Sequence, residues 1–71
     1  MSPIPSPPAE PDDDAAAYTG LEADGAARLA RERGWSEVRQ LEPGSIITME
    51  YRAGRLNFEV DGGTVARSWK G

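Results

Sequence analysis

The chain has neither cysteine nor histidine. Without cysteine there can be no disulfide, no zinc–thiolate centre and no thiol nucleophile. Without histidine the usual general base near neutral pH is missing, and the serines have no imidazole partner. Carboxylate pairs such as Glu50 with Glu59 occur, but a chain of 71 residues rarely encloses the concave pocket that would make a pair useful. An enzyme is therefore not expected, and neither is a metal or a cofactor. Asp12-Asp13-Asp14 lacks the spacing and the glycine of a calcium loop and reads as solvated charge. Gly62-Gly63 neither opens a helical pattern nor matches a nucleotide fingerprint, and reads as a turn.

Long apolar runs are also missing, so neither a signal-peptide core nor a transmembrane helix is written in the sequence. As it stands the chain reads as cytoplasmic; removal of a leader ahead of Met1 would make it secreted or periplasmic. Basic residues are few and scattered. Glu10, Asp12, Asp13 and Asp14 stand in a segment with no Lys or Arg, which therefore holds the whole net charge of −4 and leaves residues 18–71 balanced. A balanced domain has no electrostatic footprint for nucleic acid or an anionic membrane, and a monomer is expected.

Residues 1–17 hold Pro3, Pro5, Pro7, Pro8 and Pro11 beside the aspartate run and almost nothing large and apolar. That composition predicts a disordered tail, and Pro5-Ser6-Pro7-Pro8 reads as a solvated spacer despite its P-x-x-P form. Residues 18–71 are then one domain, near the lower limit for a core without staples. Leu21 to Arg33 reads as a helix, with Asp24 as a plausible N-cap, a narrow stripe at Ala26, Leu29, Ala30 and Arg33, and Gly34 as terminator. Trp35 is expected at the helix–sheet junction. Glu37 to Leu41 reads as a short strand ended by Pro43-Gly44. Arg55 to Val60 alternates, with Leu56, Phe58 and Val60 inward and Arg55, Asn57 and Glu59 on the other face. Asp61-Gly62-Gly63 is a hairpin turn, and Thr64 to Trp69 returns. The expected fold is α+β: one helix packed on a small mixed sheet, with a long extended loop joining two parallel neighbours.

That loop, Gly44 to Arg55, is the most informative stretch. Turn signals bound it, yet Ile46-Ile47-Thr48-Met49-Glu50-Tyr51 is β-branched and aromatic and so extended by preference. Alone, it reads better as an ordinary half-buried strand. With Arg52 and the following Arg55-Leu56 it resembles the reactive loop of potato inhibitor I type serine protease inhibitors, the group of barley chymotrypsin inhibitor and leech eglin. The flanks Tyr18-Thr19-Gly20-Leu21 and Arg55-Leu56-Asn57-Phe58-Glu59-Val60-Asp61 are closer to its bacterial and fungal elastase-inhibitor branch, peptidase inhibitor family seventy-eight. The resemblance spans about Tyr18 to Gly71, and in its register the helix starts nearer Glu22.

The resemblance implies a reversible, substrate-like inhibitor whose scissile bond is Met49–Glu50. Met49 would fill an apolar primary pocket of subtilisin, chymotrypsin or elastase type; Thr48, Ile47 and Ile46 would lie upstream and Tyr51 and Arg52 downstream. In the family two arginines of the next strand hold the residues flanking the bond. Arg55 matches the first, Thr48 and Glu50 match the residues held, and Asn57 stands at the second. Many relatives of that branch also carry a cysteine pair tying the two ends together; Lys70 stands where one cysteine is expected, so stability must come from packing alone. The alternative expectation is a non-inhibitory interaction module on the same scaffold, working through a sheet edge or the proline-rich tail.

Overall fold

The structure, a computed structural model, describes residues 10–45 and 50–71. One helix, α1 (Ala23–Glu32), precedes three strands, β1 (Glu37–Leu41), β2 (Arg55–Asp61) and β3 (Thr64–Lys70). The strands lie in the order β1-β2-β3. β1 runs parallel to β2, with Val38 beside Leu56 and Arg39 beside Asn57. β2 and β3 form an antiparallel hairpin, with Phe58 opposite Ser68 and a register shift at Glu59/Val60. Gly62 and Gly63 turn the hairpin, both at positive φ, where a side chain is disfavoured. One helix packed on a small mixed sheet is both the expected and the observed architecture.

Period-two alternation sorts β2 between two faces. Leu56 and Phe58 are fully buried towards α1, with Val38 and Val60 packed at the margin. The helix meets them through Ala23, Ala26, Ala27 and Ala30. Side chains this small let the helix lie close to the sheet, so the larger residues fill the space between. Tyr18 and Trp35 are buried in the same core, and the Tyr18 ring lies 5.6 Å from that of Phe58. Burying each of these large side chains contributes about 1.5–3 kcal/mol.

The N-cap differs from the composition-based expectation. Glu22, not Asp24, caps α1, its carboxylate accepting from the amides of Asp24 (3.2 Å) and Gly25 (2.8 Å). The reason lies one step earlier. Gly20 donates to Val65, Val65 to Leu21, and Ala23 to Gly63, so residues 20–23 are paired to the outer edge of β3. The chain can turn into the helix only after that pairing, which places Glu22 at the cap. The same pairing covers part of an edge that would otherwise be open.

Asp13 lies in the stretch whose composition suggests disorder, yet its carboxylate accepts from the Tyr18 hydroxyl and from Trp35 Nε1 (2.9 Å) and faces Arg33 at 3.5 Å. Tyr18 and Trp35 are buried, so the carboxylate satisfies the two polar tips that these core aromatics bring inside. Those bonds, from Tyr18 first and Trp35 next, with the Arg33 charge, hold the Asp13 pKa below its ordinary value. Burial, and then the bond to Asp13, raises that of Tyr18. Asp13→Ala should lower the melting temperature by more than about 10 °C, since hydrogen bonds to a charged group are worth roughly 1.5–3 kcal/mol each and two are lost. Because the folded pKa of Asp13 is depressed, its contribution is complete above the pKa of the unfolded carboxylate and fades as pH falls through the folded value. Thermal melts of parent and Asp13→Asn should therefore differ fully above about pH 4 and begin to draw together only as pH falls below it.

Candidate functional site

The face of the sheet opposite α1 carries the candidate loop supports. Arg55, at the start of β2, is only 5% exposed. One amino group, Nη2, donates to the Glu50 carbonyl oxygen at 2.6 Å and to the Gly71 backbone oxygen at 2.6 Å; Nε donates to the same Gly71 oxygen at 3.2 Å. The guanidinium thus bridges the returning limb of the loop and the residue that follows β3. The resemblance pairs Arg55 with Glu50, and the atom that accepts is the Glu50 main-chain carbonyl. A main-chain acceptor restrains the backbone itself, which a flexible Glu side chain would not.

Gly71 is the second half of this anchor. Its amide donates to the Arg55 carbonyl (3.0 Å), and its oxygen also accepts from the Arg52 amide (3.3 Å). Its φ is +103°, and a Cβ built there would lie 2.7 Å from Cδ2 of Tyr51. Only glycine permits this conformation and this approach of the Tyr51 ring together. Arg52 reaches back to β1 through an ion pair with Glu37 at 3.4 Å. Glu50, Tyr51 and Arg52 are each exposed, Tyr51 by 61%, although the Glu50 carbonyl and the Arg52 amide are both bonded. Ile46, Ile47, Thr48 and Met49, and with them the Thr48 contact expected of Arg55, lie outside the described residues.

Asn57 is completely buried. Its Oδ1 accepts from Arg39 Nε at 2.8 Å and its Nδ2 donates to the Trp69 carbonyl at 3.3 Å. Its amide therefore joins β1 to β3 across β2, and among the described residues it makes no bond to the loop. Asn57 is tied into the sheet where a direct loop donor is expected. Arg39 is the residue that sequence reasoning missed. The only signal for it was the strand register, which sets Arg39 level with Asn57 and on the same face as Arg55. Arg67 completes this face, pairing with Glu59 at 3.5 Å and lying over the Trp69 ring at 5.0 Å.

The geometry is that of a loop whose exit is anchored to a sheet by a buried arginine. The sequence of residues 17–67 matches the model of the Peptidase inhibitor I78 family. The chain belongs to that family. Membership makes it a peptidase inhibitor, not an enzyme, with a peptidase as its partner. No curated protein and no solved structure matches the chain. In this I78 inhibitor the matched region contains the helix, β1, the loop and β2 whole. Asp13 and Gly71 lie outside it. No group of His, Cys, Asp or Glu that could hold a metal ion occurs among the described residues.

Proposed function

We propose that this I78 inhibitor acts reversibly and as a substrate mimic on serine endopeptidases of the subtilisin, chymotrypsin or elastase type. Residues 46–52 are the segment offered, Met49 is the side chain for the primary pocket, and Met49–Glu50 is the bond presented to the catalytic serine. A protease takes such a segment as a strand added to its own edge, with alternate side chains entering subsites. Met49 is long, flexible and apolar and suits a hydrophobic pocket.

The observation that carries the reading is the Arg55 bridge from the Glu50 carbonyl to the Gly71 oxygen. Ordering a free peptide costs roughly 1–2 kcal/mol per residue, and a segment already held avoids much of that cost. The same bridge keeps the new amine of Glu50 beside the acyl group after attack. Religation then competes with hydrolysis, because the effective concentration of the amine is high. Substrate and inhibitor differ in this retention.

The test is an inhibition titration against subtilisin, chymotrypsin, elastase and trypsin. Inhibition constants below about micromolar are expected for at least one of the first three, with trypsin much weaker. Stronger inhibition of trypsin would overturn the role given to Met49. No inhibition of any serine endopeptidase would overturn the target class.

A further inference from the structure

The residue after Glu50 is gripped from a second direction. The Tyr51 ring lies against Gly71, and its hydroxyl donates to one carboxylate oxygen of Glu10. The other Glu10 oxygen faces Lys70 Nζ at 3.6 Å. Glu10 thus meets the loop and the end of β3 together, 41 residues before Tyr51 in the chain. Its own position is fixed from the core outwards. Pro11 packs against Gly34, the Pro11 carbonyl accepts from the Asp13 amide at 2.9 Å, and Asp13 is held by Tyr18, Trp35 and Arg33.

We propose that residues 10–14 form a non-covalent staple which positions the downstream side of the binding loop, with Asp13 as its anchor in the core and Glu10 as its contact with Tyr51 and Lys70. The inference rests on the inhibitory reading for its functional consequence but not for its structural one. An exposed ion pair such as Glu10–Lys70 contributes little by itself. Its place in a chain of contacts from the core to Tyr51 gives it leverage, since the loop segment it restrains must not drift after cleavage. The chain has no cysteine, so no covalent tie can do this work. Arg55 and Gly71 restrain the backbone of Glu50 and Arg52; the staple restrains the side chain between them.

The experiment compares the parent with Glu10→Ala, Tyr51→Phe, a form lacking residues 1–9 and a form lacking residues 1–14. Three quantities are read: amide hydrogen exchange at Arg52, whose N–H is bonded to Gly71; the rate of loop cleavage by subtilisin; and the melting temperature. Glu10→Ala and Tyr51→Phe should speed Arg52 exchange and cleavage by about three- to tenfold while the melting temperature stays near that of the parent. Loss of residues 1–14 should do the same and also lower the melting temperature; loss of residues 1–9 should change none of the three. If Glu10→Ala and Tyr51→Phe leave Arg52 exchange unchanged, the staple is refuted, whether or not the protein inhibits a protease. A parent that inhibits nothing would overturn the proposed function, and the exchange rates would still decide the staple.

Discussion

Arg55→Ala should turn a slow, tightly held substrate into a fast one. The guanidinium makes its bonds to Glu50 and Gly71 inside the protein, where each charge-assisted hydrogen bond is worth roughly 1.5–3 kcal/mol net. Losing the bridge frees the Glu50 backbone and also Gly71, against which the Tyr51 ring lies. Binding then carries an ordering cost the parent avoids, and the inhibition constant should rise about ten- to a hundredfold. Cleavage at Met49–Glu50 should accelerate in parallel, because the released amine leaves before religation. Arg55→Lys should recover only part of this, since an ammonium can reach for the two oxygens that Nη2 holds but has no counterpart of the Nε–H bond to Gly71. The side chain lies on the face opposite Leu56 and Phe58, so circular dichroism should report an intact fold. A folded Arg55→Ala protein that inhibits as well as the parent would refute the brace.

Met49→Lys should exchange the target. A cation in an apolar primary pocket is desolvated without a partner, whereas in an acidic pocket it is paired. Affinity for subtilisin or chymotrypsin should fall about a hundredfold or more, and that for trypsin should rise by a similar factor. The measurement is the ratio of inhibition constants for parent and variant against both enzymes. Because Arg55 and Gly71 are unchanged in this variant, cleavage by trypsin should remain slow. Rapid cleavage would show that the brace and the primary residue are not independent.

The fold was legible where local pattern and tertiary environment agree. Leu56, Phe58 and Val60 alternate because one face of β2 meets the helix, and that fact is written in a period of two. The Asp61-Gly62-Gly63 turn is written in its glycines. The helix boundary was less legible, because the pairing of residues 20–23 with β3, a long-range contact, decides that Glu22 and not Asp24 is the cap. In the candidate site the loop motif pairs Arg55 with Glu50, but neither the carbonyl that accepts nor the second acceptor, Gly71, was legible. A carbonyl acceptor leaves no mark on residue choice, and Gly71 lies 16 residues away.

The pairing of Asn57 with Arg39 was not legible, because Arg39 belongs to the strand before the loop. Only a parallel register brings the two together. The segment at residues 10–14 was the least legible. Its prolines and aspartates average to the composition of a solvated tail, and composition cannot show that one aspartate meets the buried tips of Tyr18 and Trp35. Such contacts are single, polar and distant in sequence, so periodicity and propensity do not register them.

The most direct test of the central claim is to incubate the protein with a catalytic amount of subtilisin and follow intact mass until it stops changing. The account predicts one nick, after Met49, and a constant ratio of intact to nicked chain that is the same whether the experiment starts from intact or from nicked protein. Cleavage that runs to completion, or a first cut elsewhere, would contradict it.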